Sequence, residues 1–202
     1  MKKVPKNTIN RSFLYIRTLE KLIAAGRDQV SSGQIAELTG LTDVQIRKDI
    51  SNFGKVGKPR VGYSTKELKK ILEEFISYNV AHVVLFGVGN LGSAILKYPG
   101  FHQDKIKLVA AFDRDSRKVG REINGVKIYS VDKAMEVIPR NHADIGIIAV
   151  PEEHSQAIAD IMVSSGLKGI VNFSPTTVSV PGKVKIRNID LAIEFLSLFC
   201  QL

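Results

Sequence analysis

The chain has 202 residues, of which 44% are hydrophobic, and it carries a formal net charge of +9. This length and composition predict a globular protein with one large domain or two small ones. The sequence has no run of about 18 apolar residues and no signal-peptide core at its N-terminus, so we expect neither a membrane span nor export. The single cysteine, Cys200, excludes an internal disulfide and a cysteine-based zinc cluster. Together these features predict a cytoplasmic protein.

The positive charge is concentrated at the start of the chain. Residues 1–79 hold 15 of the 29 Lys and Arg residues but only 8 of the 20 Asp and Glu residues. A localised basic excess is typical of a surface that binds nucleic acid. A solvated basic face without a partner has the same composition, so charge alone leaves both interpretations open.

Three helices are predicted in the first 53 residues. Residues 8–25 form the first, which ends at Gly26, because apolar residues recur there at three- and four-residue steps: Ile9, Phe13, Ile16, Leu19 and Ile23. Ser31–Gln34 and Thr42–Gln45 each match a capping box and open two further helices, and Gly40 ends the first of these two. Two short helices joined by a tight turn that contains glycine predict a helix-turn-helix.

The second helix of this motif is the candidate recognition helix, the one that enters the major groove of DNA. At about 100° per residue, Ile46, Ile50 and Phe53 cluster on its inner side. The outer side and its flanks carry groups suited to base edges and phosphates: Val44, Gln45, Arg47, Lys48, Ser51 and Asn52. A small helical subdomain with a solvated polar face is the alternative interpretation of this helix alone.

A basic segment follows the recognition helix. Residues 54–63 contain three glycines and a proline, which predicts a tight β-ribbon rather than a helix. The ribbon adds Lys55, Lys58 and Arg60, and its tip would place Arg60 in a minor groove. A basic ribbon after a recognition helix predicts a winged helix that binds DNA. A further helix, capped by Ser64–Glu67 and apolar on one face, links this domain to the rest of the chain.

From residue 80 the pattern changes to alternating strands and helices. Four continuous apolar runs are typical of strands buried on both faces, and they read HVVLFG, KLVAAFD, ADIGIIAV and KGIVNF. Helical stretches at 90–97 and 152–165 separate them, which predicts an α/β fold with a parallel sheet. The last segment, IDLAIEFLSLF at 189–199, is a helix so apolar that it requires a partner surface.

A glycine-rich motif follows the first of these strands and opens a helix. This is the context that a dinucleotide fingerprint requires, and its residues are Gly87, Val88, Gly89, Asn90, Leu91 and Gly92. Gly87 permits the turn, Gly89 lets the pyrophosphate approach the backbone, and Gly92 lets the helix pack on the sheet. Asp113 ends the next strand, where a carboxylate binds the ribose hydroxyls, which favours NAD(H) over NADP(H). A glycine-rich turn without a ligand is the alternative.

Two later loops are predicted to border the nicotinamide half of the cofactor. Val150 and Pro151 follow the third strand, and Asn172, Phe173 and Pro175 follow the fourth. Ligands of open α/β sheets bind at the carboxyl ends of the strands, where both loops lie.

A dehydrogenase is the main rival interpretation. The segment IIAVPEEHSQAI resembles the strand–Pro–His segment of dehydrogenases of the glucose-fructose oxidoreductase type. Those enzymes carry a large C-terminal substrate domain and a lysine on the next strand, where this chain reads Asn172–Pro175 and has some 27 residues left. No acid/base set of lysine and histidine and no histidine spacing typical of metal ligands is apparent. We therefore expect no catalytic residues and no metal site, and interpret the dinucleotide site as a sensor.

Seven segments spread over essentially the whole chain resemble the Rex family of redox-sensing repressors. They are VPKNTINR at 4–11, QIRKD at 45–49, FGKVGKPRVGY at 53–63, GVGNLGSAI at 87–95, YPGF at 98–101, FD at 112–113 and NFSP at 172–175. The resemblance implies a homodimer whose C-terminal helix exchanges between subunits and inserts between the partner's DNA-binding head and its Rossmann domain. It also implies that NADH favours a closed dimer that leaves DNA. Low NADH, or NAD+, favours the operator-bound form, which represses genes of fermentation and respiration.

The resemblance also implies roles for three further residues. Tyr98 and Asp190 match positions near the nicotinamide and the dimer interface, and Arg17 matches a residue able to pair with that aspartate. The resulting expectation has three parts: a winged-helix DNA-binding domain with a linker helix (1–79), a Rossmann NAD(H)-binding domain (80–188) and a domain-swapped dimerisation helix (189–202). The alternatives are a small NAD-dependent oxidoreductase and a winged-helix protein that binds another nucleotide, such as coenzyme A.

Overall fold

The computed structural model describes residues 4–54, 56–57, 61–76, 80–101 and 105–202. The chain divides into two units, Met1–Tyr78 and Asn79–Leu202. No helix in the described part of the chain is both long enough and apolar enough to cross a membrane.

The first unit is mainly helical. Its elements are α1 (Lys6–Ala24), β1 (Gln29–Val30), α2 (Ser32–Thr39), α3 (Asp43–Ser51), β2 (Tyr63–Ser64) and α4 (Thr65–Ile76). Helices α2 and α3 form the predicted helix-turn-helix, in which α3 occupies the place of the candidate recognition helix. The core consists of apolar side chains from all four helices and β1, among them Leu19, Ile35, Ile46, Leu68 and Leu72, each fully buried.

The two predicted capping boxes differ in the structure. At α2 the Ser31 hydroxyl accepts the Gln34 N–H while the Gln34 side chain accepts the Ser31 N–H, so this box is complete. At α3 the Thr42 hydroxyl accepts the Gln45 N–H, but the Gln45 side chain points along the helix and donates to Asp49 at 2.9 Å. The second capping box is therefore only half formed, because a buried carboxylate binds the glutamine amide.

One further sequence expectation for the first unit needs correction. The apolar stripe predicted on α1 includes Phe13, whose side chain is 43% exposed, whereas Tyr15 is fully buried. Hydropathy alone misplaced the buried face of α1, because polar side chains occupy much of that face. These side chains are buried there with their hydroxyl groups hydrogen-bonded. In the basic segment the described strand, β2, pairs antiparallel with β1, more than thirty residues earlier, with Val30 opposite Tyr63. The predicted ribbon at 54–63 lies partly outside the described residues.

The second unit is a sheet of seven strands between helices. In chain order its elements are β3 (Ala81–Phe86), α5 (Asn90–Lys97), β4 (Ile106–Asp113), β5 (Glu122–Ile123), β6 (Val126–Ser130), α6 (Ala134–Arg140), β7 (Ile145–Ile148), α7 (Glu152–Ser164), β8 (Gly169–Asn172), β9 (Lys185–Asn188) and α8 (Leu191–Phe199). The strand order is β5-β6-β4-β3-β7-β8-β9, with every neighbouring pair parallel except the β5–β6 hairpin. From β3 the chain adds strands first on one side, through β4 and β6, and then on the other, through β7, β8 and β9. The strand order therefore reverses between β3 and β7, which is the position where open α/β sheets bind ligands.

The four predicted strands β3, β4, β7 and β8 form the middle of this sheet. Phe86 and Phe112, at the ends of β3 and β4, stack at 4.5 Å between ring centroids and are fully buried. The short strands β5, β6 and β9 and the helix α6 were not predicted, because their alternating or mixed residues carry no continuous apolar run. Helix α8 leaves six large apolar side chains more than half exposed: Leu191, Ile193, Phe195, Leu196, Leu198 and Phe199.

Candidate nucleotide and DNA sites

The glycine loop after β3 is shaped by close contacts of the backbone. Gly87 has φ +92°, and a Cβ there would collide with the carbonyl oxygen of Ala149. A Cβ on Gly92 would collide with the carbonyl oxygen of Gly87, so α5 packs tightly on the loop only with glycine at that position. A Cβ on Gly89, by contrast, would meet nothing within 4 Å. Protein packing therefore requires the first and third glycines and leaves open space at the second.

The N-terminus of α5 differs from those of α2, α3 and α8. Ser31, Thr42 and Asp190 each cap the helix that follows with a side-chain oxygen. Gly89 precedes α5, and within the described residues no side chain hydrogen-bonds its first backbone N–H groups. Those donors, together with the helix dipole, form a site suited to phosphate. Of the other motif residues, Asn90 and Leu91 are exposed and Val88 is buried.

Asp113 joins the end of β4 to the glycine loop. Its carboxylate accepts the Val88 N–H at 2.7 Å, the Asp115 N–H at 2.8 Å and the Lys118 ammonium at 3.1 Å. Burial raises the pKa of Asp113, but the two backbone donors and Lys118 outweigh burial and lower the pKa below its ordinary value. Asp113 is thus an ionised anchor of the loop, and its side chain remains 11% exposed.

A cavity of about 390 Å³ lies at the carboxyl ends of β3, β4 and β7. Five predicted residues line it: Gly87, Gly89, Asp113, Val150 and Pro151. Three further lining residues, Arg114, Lys118 and His154, were not predicted as site residues from the sequence. The Arg114 Nη1 lies 3.3 Å from both ring nitrogens of His154, which places the guanidinium against the imidazole at one wall. Lys118 follows the strand-end carboxylate by five residues, a spacing that carries no general signal.

The loop after β8 is held by Asn172. The Asn172 amide is fully buried: it donates to the Thr176 carbonyl at 2.6 Å and to the Asn188 Oδ1 at 3.0 Å, and it accepts the Ser174 N–H. Phe173 packs partly buried and Pro175 is exposed. These three predicted residues are not among those that line the cavity, and the Asn172 side chain is engaged in shaping its own loop.

The remaining predicted residues of the switch and the nicotinamide region are not among those that line the cavity. Tyr98 is 53% exposed and meets Phe101 edge-on at 5.9 Å. Arg17 is exposed on α1. The Asp190 carboxylate caps α8 by accepting the Ala192 N–H at 2.9 Å. The described residues contain no group of His, Cys, Asp and Glu side chains able to hold a metal ion.

The predicted DNA-binding residues fall into two groups. Val44, Lys48 and Ser51 are exposed on α3, with Gln45 half-buried beside them. Arg47 is exposed but is bound by Asp43 at 2.6 Å and by the Ser32 hydroxyl at 3.2 Å. The wing cations Lys55, Lys58 and Arg60 lie outside the described residues.

A buried carboxylate on the recognition helix was missed by sequence reasoning. Asp49 is 1% exposed and accepts hydrogen bonds from the Arg11 guanidinium at 2.6 and 2.8 Å, the Tyr15 hydroxyl at 2.7 Å and the Thr8 hydroxyl at 2.9 Å. Gln45 supplies a fifth hydrogen bond from α3 itself. Burial raises the pKa of Asp49, but these donors outweigh it and lower the pKa to about 2. The available signal was an acidic residue on the same face as Ile46 and Ile50.

Comparisons with known proteins agree with this division of the chain. Residues 3–51 match a family described as "Putative DNA-binding protein N-terminus", and residues 79–176 match one described as "CoA binding domain". Among curated proteins, the redox-sensing transcriptional repressor Rex of Carboxydothermus hydrogenoformans is 42% identical over 95% of this chain and 93% of its own length. Rex of Pelotomaculum thermopropionicum is 41% identical over 95% of this chain and 91% of its own.

Three solved structures of RSP, a Rex-family repressor, also match the fold. RSP in complex with β-NAD+ and operator DNA gives a TM-score of 0.88 at 33% identity, covering 100% of this chain and 93% of RSP. RSP in complex with β-NADH gives 0.85 at 32% identity, covering 100% and 95%.

A helix-turn-helix unit and a Rossmann unit on one chain define a DNA-binding regulator that responds to a ligand. The chain belongs to the Rex family of redox-sensing transcriptional repressors. The predicted fold class is thereby confirmed, and the family is one of regulators rather than enzymes.

Proposed function

We propose that this chain represses transcription by binding operator DNA through its first unit, and that NADH bound to its second unit releases it. The observation that carries the proposal is the N-terminus of α5, which no side chain caps and which adjoins the cavity. This cavity lies where the strand order of the sheet reverses. The same chain also exposes a candidate recognition helix. Repression would therefore respond to the ratio of NADH to NAD+.

The cofactor assignment follows the chemistry of the site. The free N–H groups at Gly89, Asn90, Leu91 and Gly92 would hold the pyrophosphate of NADH or NAD+, and the remaining exposed edge of Asp113 would bind the adenosine ribose. Val88 ties this loop to Asp113 through its N–H. The loops that carry Val150, Pro151, Asn172, Phe173 and Pro175 would border the nicotinamide half, with Tyr98 placed there by family resemblance.

The DNA assignment follows exposure and charge. The residues proposed to contact DNA are Val44, Gln45, Arg47, Lys48, Ser51, Lys55, Lys58 and Arg60. Arg47 keeps exposed donors despite its ion pair with Asp43, since a guanidinium has five N–H groups. The partner is double-stranded operator DNA, and the proposed location is the cytoplasm.

We further propose a homodimer formed through residues 189–202. Helix α8 exposes a surface of Leu, Ile and Phe side chains that is unfavourable in water, and a second copy of the chain would cover it. Arg17 and Asp190 are the proposed switch, since opposite charges on α1 and at the start of α8 could pair in only one state of the dimer.

The decisive experiment measures DNA binding by the full chain with NADH and with NAD+ in parallel at fixed salt. We expect NADH to weaken operator binding strongly and NAD+ to leave it nearly unchanged. Coenzyme A and NADPH serve as control nucleotides. Release by coenzyme A but not by NADH would replace the proposal with a coenzyme A sensor, and turnover of NADH with a small substrate would replace it with an oxidoreductase.

A further inference from the structure

The outer surface of the recognition helix has few free polar groups. The Gln45 amide donates to Asp49 at 2.9 Å, and Arg47 is bound by Asp43 and Ser32. The Ser51 hydroxyl donates to the Lys48 carbonyl at 2.7 Å. Each of these groups would have to break or share a hydrogen bond in order to read a base edge.

Two side chains on this surface, Lys48 and Val44, form no such hydrogen bond or ion pair with described residues. Lys48 is exposed and forms no ion pair with any described residue. Val44 is 62% exposed in the first turn of α3, although valine is a poor helix former and an isopropyl group gains nothing from water. The apolar core of the unit lies on the opposite face, around Ile46 and Ile50. Packing among the described residues of this unit therefore does not explain a valine at position 44.

The chemistry of the major groove supplies a partner for an apolar group at that position. Residues at the N-terminal end of a recognition helix are the ones that contact base edges. The C5-methyl of thymine is the apolar group that an unmodified base pair presents in the major groove. An isopropyl side chain on this surface can therefore stabilise the complex by covering a thymine methyl group. It has no hydrogen-bonding group with which to recognise guanine, cytosine or adenine.

We propose that Val44 reads thymine: in the operator complex its side chain packs on one thymine methyl in each half-site. This inference rests on the proposed function, because it requires that α3 enter the major groove. It assigns to Val44 a role in choosing the DNA sequence, while Lys48, one turn further along the same surface, supplies charge.

The experiment uses an operator that the wild-type full chain itself selects from a random-sequence pool. Each thymine is then replaced singly by deoxyuridine, which removes the methyl group and leaves the hydrogen-bonding edge unchanged. Affinity is measured at one salt concentration. We expect one thymine per half-site at which the replacement weakens binding by about fourfold, the equivalent of one buried methyl group.

The assignment to Val44 comes from repeating the scan with variants. Val44→Ala should reduce the deoxyuridine effect at that position to less than about twofold, and alanine favours the helix, so folding is not at risk. Val44→Thr retains one methyl group and should keep part of the effect. Leu38→Ala, which truncates an equally exposed apolar side chain on α2, should leave the whole profile as in the wild type.

The possible results separate the two proposals. A methyl effect that disappears in Val44→Ala supports the inference. If the wild type selects an operator but no thymine shows a methyl effect, or the effect persists in Val44→Ala, the inference is overturned and the repressor function stands. If the wild type selects no sequence, the proposed function is overturned and the inference with it.

Discussion

The carboxylate of Asp49 on the recognition helix is bound by the guanidinium of Arg11 on α1 through two hydrogen bonds of 2.6 and 2.8 Å. Tyr15 and Thr8, on the same face of α1, complete the shell around the two carboxylate oxygens. A buried carboxylate without partners would be strongly unfavourable, because it loses its hydration. The hydrogen-bond donors around Asp49 together offset this desolvation free energy. The pair joins α3 to α1, so the orientation of the surface that we propose to contact DNA depends on it.

Asp49→Asn should destabilise the first unit by about 2–4 kcal/mol, because the amide leaves the Arg11 charge unpaired at a partly buried position. Operator binding should weaken in consequence, whereas NADH binding to the second unit should not change. Chemical unfolding of the full chain, with NADH titration by fluorescence, measures both effects. Tyr15→Phe is the matched control: it removes a single hydrogen bond and should cost about 1 kcal/mol. Equal stability of Asp49→Asn and wild type would show that the cluster contributes nothing net.

The same cluster predicts a loss of stability in acid. The pKa of Asp49 is about 2 in the folded protein and 3.8 ordinarily, so its contribution to folding is complete above about pH 5. That contribution declines as the pH falls through 3.8 towards 2, because protons then bind the unfolded state more tightly. The stability gap between wild type and Asp49→Asn should therefore narrow between pH 5 and pH 3. A gap independent of pH would mean that the carboxylate charge is not what stabilises the unit.

Gly89→Ala should weaken NADH binding by about tenfold or more while leaving the unliganded protein intact. The backbone of Gly89 has φ −80°, and its Cβ would enter open space, so the methyl group obstructs only a bound pyrophosphate. Gly182→Ala is the matched control, because a Cβ there also meets nothing within 4 Å but lies in a different loop. NADH fluorescence titration and thermal unfolding check the two expectations. Unchanged NADH affinity in Gly89→Ala would remove the pyrophosphate from this loop.

Asp113→Asn should shift cofactor preference towards NADPH. The substitution removes the negative charge that repels a 2′-phosphate and leaves the Lys118 ammonium, now unpaired, beside it. We expect the ratio of NADPH to NADH affinity to rise about tenfold, equivalent to about 1.4 kcal/mol. Adding Lys118→Gln should reverse most of that rise. If Asp113→Asn discriminates as sharply as the wild type, another group recognises the ribose.

Asp190→Asn should reduce the coupling between NADH and DNA without abolishing either binding reaction. Asparagine caps helices as well as aspartate does, so α8 keeps its N-cap and loses only the charge. Coupling is reciprocal, so a cycle of NADH affinities with and without operator measures it. We expect the coupling factor to fall about two- to fivefold, as for one exposed ion pair. Glu194→Gln is the control, because it removes one negative charge one turn further along α8 and leaves Asp190 unchanged. It should leave the coupling factor as in the wild type. Equal coupling in Asp190→Asn and wild type would exclude Asp190 from the switch.

The sequence by itself determined the features that are encoded in a few neighbouring residues. The box at Ser31–Gln34, the glycine loop at Gly87–Gly92 and the four apolar strands all follow from local backbone chemistry and from burial on both faces of a sheet. The α/β class, the helix-turn-helix and the position of the candidate cofactor site were therefore predictable. A few residues specify each of these features, and distant parts of the chain do not alter them.

Only the tertiary structure decided which polar groups meet. Asp49 is separated from Tyr15, Arg11 and Thr8 by 34, 38 and 41 positions, and no local pattern connects them. The same holds for the pairing of β2 with β1, more than thirty positions apart. Local signals report whether a residue prefers burial, but the partner that makes a buried charge favourable comes from chain folding. The positions at which charge and burial conflict are for this reason the ones that the sequence left open.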